Sequence, residues 1–289
     1  MSETGAQLGI NLDANKLFYA VSTPDTQGVL SRIGSVDFSF DLIDSLTYRD
    51  PERLSGISNT VQKIIREHGV KQVHFLTPPG FECWSILPRS VFDIEDERRA
   101  HLNVLTQGTR FERAAAKWHE LSNRDFRLLS LSREEQREAL HSMADKSCKT
   151  RLFSEFEVSK AWLNHIGTNG SYLVISACSR VVTVTSFLLG KLRAATFIKL
   201  EDIHDLPYLW LQYASHLPWM KGFHDNIWLY GSQSDRIMES LKPYIDPGSE
   251  IAAIDRLETM NMNCSENTFS FSLERAFASI ILAGTPCES

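Results

Sequence analysis

The sequence predicts an α/β protein built from two related halves. Two observations carry that prediction. A stretch patterned as a three-strand meander begins near Leu8 and another begins near Tyr172, and each is followed by helix and strand signals in alternation. No low-complexity linker interrupts the chain, whose 289 residues and 43% hydrophobic content suffice for two lobes or one large core.

In the first half, Leu8–Leu12 reads as a strand, Asp13–Asn15 as a tight polar turn, and the following residues as a second strand. A third strand is expected over Arg32–Phe40, where Ile33, Val36, Phe38 and Phe40 are β-formers. Asp50-Pro51-Glu52 starts a helix: Asp caps it, Pro occupies the first position and an acid sits in the first turn. Leu54, Ile57, Val61, Ile64 and Ile65 recur at helical spacing, and Gly69 ends the helix. Val70–Leu76 and Cys83–Leu87 follow as strands around the turn Thr77–Glu82.

The middle reads as helical and charged. Asp93–Leu105 places acids ahead of bases, as the helix dipole favours. Phe126–Leu131 and Thr150–Phe153 read as strands, Arg133–Lys146 and Glu157–Ile166 as helices. Ser154-Glu-Phe-Glu157 suggests paired carboxylates but fits a helix start better, with Ser as cap and acids in the first turn. The second meander comprises Tyr172–Arg180, Val181–Leu189 and Ala194–Leu200, with Gly190-Lys191 as a hairpin turn. A helix over His204–Ser215, a strand at Asn226–Tyr230, a helix at Asp235–Leu241 and an apolar closing helix at Leu273–Ala283 complete the chain.

Composition excludes several functions. A net charge of −6, with basic residues scattered among acids, argues against nucleic-acid binding. The five cysteines (Cys83, Cys148, Cys178, Cys264, Cys287) form no C-x-x-C pair, which fits reduced thiols in the cytoplasm and no metal site. Met1–Gln7 lacks a basic region before an apolar run, so no secretory signal is expected. The longest apolar stretches are too short to enter a bilayer as spans. The nine histidines are isolated and no G-x-S-x-G elbow or phosphate-binding P-loop is present.

Five segments resemble elements of the actin-like ATPase superfamily, and within it the PilM-like branch of type IV pilus and type II secretion assembly. Gly9–Val21 is similar to the family's first phosphate hairpin, and Phe75–Gly80 with Trp84–Pro88 to its strand–turn–strand element before an acidic helix. Tyr172–Arg180 is similar to the second phosphate hairpin, Leu229–Gln233 to the adenosine-side turn, and Ala276–Gly284 to the small-residue closing helix. The resemblance implies an α/β fold of the actin-like, ribonuclease H-like type, with each lobe holding a mixed sheet flanked by helices. It implies a first lobe over residues 1–168, with a small inserted subdomain around 88–131, and a second lobe over 169–289.

The same resemblance sets expectations for the cleft. In the family each phosphate hairpin carries an Asp that organises metal and water, then a Gly whose bare backbone approaches the phosphates. Here Asn11 and Asp13 stand at those places in the first hairpin, followed by Asn15, and Ser176 and Cys178 stand there in the second, followed by Ser179. The adenosine turn keeps Gly231 but has Ser232 where a second Gly is usual. A carboxylate such as Asp13 facing a triphosphate is repelled by roughly 1 kcal/mol at 4 Å in water and more in a cleft. The expectation is a vestigial cleft lined by Asn11, Asp13, Asn15, Ser176, Ser179, Gly231 and Ser232, with no cofactor, no metal and no catalytic residue.

The expected function is therefore a non-catalytic scaffold that binds proteins, with the cytoplasmic tail of an inner-membrane assembly component as the partner class the resemblance implies and a homodimer left open. The alternative is an ATPase or phosphotransferase using the substituted cleft residues. For the partner surface, His216–Lys221 reads as an exposed loop presenting Trp219 and Met220 as an apolar anchor, against the plainer reading of core packing.

Overall fold

The computed structural model describes residues 5–23, 26–109, 111, 113–178, 180–264 and 268–286. The first half opens with β1 (Ala6–Asp13), β2 (Lys16–Ser22) and β3 (Val29–Asp37), then α1 (Leu42–Tyr48), α2 (Pro51–His68) and β4 (Val70–Leu76). An excursion follows through β5 (Glu82–Pro88), α3 (Arg89–Phe92), α4 (Glu95–Thr109), β6 (Ala114–Glu120) and β7 (Phe126–Arg133). The chain returns through α5 (Glu134–Met143), β8 (Lys149–Phe153) and α6 (Glu155–Ile166).

The second half repeats the opening with β9 (Ser171–Cys178), β10 (Val181–Leu188) and β11 (Lys191–Lys199). Then come α7 (Leu206–His216), β12 (Asn226–Gly231), α8 (Ser234–Leu241), β13 (Glu250–Ala253), α9 (Leu257–Met260), β14 (Asn263–Cys264) and α10 (Leu273–Gly284).

Strand order makes the duplication explicit. The first sheet runs β14-β3-β2-β1-β4-β8 and the second runs β11-β10-β9-β12-β13. In each, the meander is antiparallel, one later strand (β4 or β12) pairs in parallel with the first meander strand, and a further one (β8 or β13) pairs in parallel beyond it. The hairpins β1–β2 and β9–β10 thus occupy equivalent places in two separate sheets.

Local signals behave as elementary chemistry requires. The Asp50 side chain accepts from the Glu52 and Arg53 amides, Pro51 takes the first helical position, and Gly69 closes α2 at φ 61°. Several elements differ from the sequence expectation, among them β3, which runs over Val29–Asp37 instead of Arg32–Phe40 and leaves Phe38 and Phe40 beyond its end. Helix α1 starts at Asp41, whose carboxylate caps Ile43 and Asp44. Strand β6 contains Ala114, Ala115 and Ala116, weak β-formers, and is strand because it pairs along its length with β7.

Strand β14 and helix α10 return from the second half to the first sheet: β14 pairs with β3, and α10 lies against β1, β2 and β4 as well as β12. The inserted sheet, ordered β5-β7-β6, spans Glu82–Arg133 and so is wider than the 88–131 segment expected.

Helix α10 is buried from Ala276 to Gly284, so its apolar character on all sides is explained by cover on all sides. A Cβ on Gly9 would lie 2.1 Å from the Ser279 carbonyl oxygen and 2.8 Å from the Ala283 nitrogen. Backbone sits on backbone there, and no side chain can rotate away. Replacing Gly9 with Ala should therefore lower the unfolding free energy by roughly 3 kcal/mol. Gly56→Ala, inside α2 with nothing within 4 Å of a new Cβ, should raise it by roughly 0.5–1 kcal/mol. Urea melts of both variants, with unchanged slopes, check the pair.

Candidate functional site

The two hairpin turns meet at the junction of the sheets. Asp13, the last residue of β1, is 4% exposed, and its Oδ2 accepts from Nη2 of Arg275 at 2.9 Å. The Arg275 guanidinium lies 5.1 Å over the Phe18 ring, and its backbone carbonyl accepts from Nδ2 of Asn11 at 3.3 Å. From the other half, Cys178 at the end of β9 directs its Sγ at the Leu12 carbonyl oxygen, 3.7 Å away, and at Asp13 Oδ1, 3.9 Å away.

The remaining expected residues are mostly engaged elsewhere. The Ser176 hydroxyl hydrogen-bonds the Thr183 hydroxyl on the neighbouring strand and is buried. Asn15 is exposed, and its carbonyl accepts from the Phe38 amide at 2.8 Å. Gly231, at φ 99°, packs so closely on β9 that a Cβ would lie 2.1 Å from the Ala177 carbonyl oxygen. Ser232 donates its amide to that same oxygen at 2.9 Å. Ser179 lies outside the described residues.

This arrangement does not fit the phosphates of a nucleotide. A phosphate chain would have to lie between two turns that here touch through Cys178, Leu12 and Asp13. The charge argument also changes. Asp13 is paired with Arg275, so the obstacle is contact between the turns, more than a free repelling carboxylate.

Beside the turns sits a carboxylate that the sequence reading treated only as part of a helix start. Glu155, the first residue of α6, is 2% exposed, and the Tyr230 hydroxyl donates to its Oε1. Its Oε2 has no hydrogen-bond partner among the described residues. Burial pushes the carboxyl up to about 7; hydrogen bonds from Tyr230 and Ser176 oppose the shift, and the nearby Asp13 charge adds to it. Burial and Glu155 raise the Tyr230 hydroxyl well above its ordinary value, so it remains an O–H donor. Glu157 does what the sequence predicted, accepting the Ser154 amide at 2.9 Å. Two acids in one helical turn face opposite environments, and no linear signal says which turns inward.

Among the described residues, no group of three or more His, Cys, Asp or Glu side chains is placed to hold a metal ion. The expected aromatic anchor is corrected as well. Trp219 and Met220 are buried, at 9% and 4% exposure, in the core that contains Trp210. A short 3₁₀ turn at Pro218–Met220 folds them inward. Exposed Leu211 and Tyr244 line a hollow of about 320 Å³, and Phe223 is exposed in the segment that follows.

A cleft of about 570 Å³ lies elsewhere, between the inserted sheet and α6. Phe153, Phe156 and Ala161 line one wall, and Lys117–Glu120 of β6 line another. Among the described residues β6 is an edge strand paired with β7 alone, and its residues Lys117–Glu120 border this cleft. Lys117 and His119 face α6, where Lys117 pairs with Glu157 and the His119 ring packs on Phe156 at 4.8 Å.

No protein-family model matches the chain, and no curated protein matches it. Solved structures do. A Bacteroides thetaiotaomicron protein with an actin-like ATPase fold and unknown function is 16% identical, with a TM-score of 0.53 over 86% of this chain and 91% of that one. A PilM-PilN type IV pilus biogenesis complex gives 0.62 at 9% identity, over 96% and 97%. The cytoplasmic domain of EpsL, an inner-membrane component of the Vibrio cholerae type II secretion system, gives 0.50 at 9% identity, over 89% and 93%. These likenesses show the fold: it is that of the actin-like ATPases.

Two measurements check the site as drawn. A double-mutant cycle on Asp13→Ala and Arg275→Ala should return a coupling of about 0.5–3 kcal/mol. Trp219→Ala should cost about 3–5 kcal/mol of stability as a core truncation, whereas Phe223→Ala should stay within about 0.5 kcal/mol of the parent.

Proposed function

We propose that this actin-like fold serves as a non-catalytic, cytoplasmic scaffold that binds a protein partner instead of turning over a nucleotide. The single observation supporting this is the closed contact between the two hairpin turns, in which Cys178 reaches Leu12 and Asp13 while Arg275 neutralises the carboxylate. A fold that keeps both hairpins but joins their tips retains the architecture without a phosphate site.

The cleft beside β6 is the partner site in this reading. An edge strand with unpaired backbone next to an apolar wall suits an extended segment of another chain, which gains main-chain hydrogen bonds along the strand and side-chain pockets beside it. The mixed lining, with Lys117 and His119 near Glu157 and Glu120, suits a polar peptide more than a lipid or a nucleic acid. The setting, a pilus- or secretion-type assembly at the inner membrane, is taken from the two neighbours described in those terms. No helix among the described residues is long and apolar enough to cross a membrane.

Calorimetry with magnesium-ATP at millimolar concentration should show no binding. At 100 times its dissociation constant a ligand adds about 2.7 kcal/mol, so the melting temperature should also stay unchanged. A micromolar constant would favour a phosphotransferase and overturn the scaffold reading. The positive arm places a photo-crosslinking residue at exposed Glu120 and expects a discrete adduct in cells. Asn164→Trp, which fills the cleft from an exposed position on α6, should abolish it; an adduct that survives the substitution places the partner elsewhere.

A further inference from the structure

The first turn of α6 is where all three sheets meet, and two buried carboxyls make the joints. Strand β8 of the first sheet runs straight into it through Phe153 and Ser154, and the Thr77 amide ties β4 to the Phe153 carbonyl at 2.8 Å. On one side, the inserted sheet attaches through Glu82 of β5. Its Oε1 accepts the Ser154 hydroxyl at 2.7 Å and its Oε2 accepts Nε1 of Trp84 at 2.8 Å. The Trp84 ring in turn packs edge-on against Phe156 of α6 and Phe197 of β11, at 5.0 and 5.3 Å. On the other side, the second sheet attaches through Tyr230 of β12, whose hydroxyl donates to Glu155 and lies 3.2 Å from the Ser159 hydroxyl.

Both carboxyls are buried, Glu82 at 6% and Glu155 at 2% exposure. Among the described residues, neither has a cation in hydrogen-bond contact. The charged and titratable groups around Glu82 are Glu157 on α6, which repels, and Arg137 on α5, which attracts; Lys117 and His119 on β6 face Glu157. Around Glu155 they are Tyr230 on β12 and Asp13 on β1, with Arg275 of α10 held by Asp13. An ionised carboxylate at either place is a buried charge facing at least one like charge, and such charges are costly unless paired.

We propose that the first turn of α6 is a proton-controlled latch: with Glu82 and Glu155 neutral it clamps the inserted sheet and the second sheet to the first, and with both ionised it releases them. Burial raises both carboxyls from 4.5 to about 7. The folded protein therefore keeps protons that the unfolded chain has already lost. That contribution to stability is complete below pH 4.5 and is lost as pH rises through about 7. The movement acts on the wall of the cleft lined by Phe156 and β6, so proton loss would alter that cleft's shape.

Hydrogen exchange of the intact protein, corrected for intrinsic base catalysis, tests the latch. Between about pH 6 and pH 8.5, amides of β5, β12 and the start of α6 should lose about tenfold in protection, while those of β2 and β3 hold. The double variant Glu82→Gln, Glu155→Gln, which mimics the neutral state, should lose the pH dependence. Unchanged protection in the parent, or the same loss in the variant, overturns the proposal. Should the variant fail to fold, infrared spectroscopy of the parent decides: a protonated-carboxyl band persisting at about pH 6 and vanishing through about 7 supports the latch, and its absence by about pH 6 sinks it.

Discussion

The fold depends on a missing side chain. Helix α10 can lie backbone to backbone on β1 because Gly9 has no Cβ, and because the helix offers Ala276, Ser279 and Ala283 along its small-residue face. Close approach brings the end of the helix within reach of polar groups on the first sheet. The Leu282 carbonyl, one of the four that a helix C-terminus leaves without an intrahelical partner, accepts from Gln7 and from Nδ1 of His74. Burial lowers His74 to about 4, so at neutral pH it is an uncharged ring with one N–H to give. A buried imidazolium in the same place would be an unpaired charge.

One helix therefore joins both halves. Because α10 also lies against β12 and α6, the second sheet is attached to the first through a shared core that includes Trp162, Tyr230 and Phe277. Its first turn carries Arg275 to Asp13, so the same packing that unites the sheets also supplies the cation that neutralises the first hairpin. Fold stability and closure of the hairpin junction share one cause.

The junction also shows how duplication and function separate. Both hairpins keep the same place and antiparallel pairing in their sheets, as two equivalent sheets demand. Their tips have instead become contacts, Cys178 against Leu12 and Asp13, while Gly231 and Ser232 at the end of β12 pack on Ala177 of β9. An actin-like architecture needs the strands, whereas phosphate recognition needs bare backbone at the turns. Here the first requirement is met and the second is replaced by interactions within the chain. The open polar surface lies instead along β6, the edge of the inserted sheet.

Much of the architecture was legible in the sequence because it rests on local chemistry. The Asp50-Pro51 start and Gly69 stop of α2, the Ser154–Glu157 cap, the two meanders and the apolar closing helix all depend on residues within a few positions of one another. The departures at Asn11, Asp13, Ser176 and Cys178 were legible through the resemblance of the two hairpins to those of the actin-like ATPases. The rest required distance in sequence to become nearness in space. Nothing near Ala114–Glu120 favours a strand until β7 lies beside it; nothing near Pro218–Met220 says that Trp219 turns inward until Trp210 shares its core. Asp13 finds Arg275 across 262 residues, and Glu82 finds Ser154 across 72. A sequence alone determines which groups are charged, apolar or free of a Cβ, because those are properties of single residues. Whether a charge is paired, a ring covered or a carboxyl held neutral was decided only by the tertiary structure, since burial and partnership belong to pairs that the chain brings together by folding.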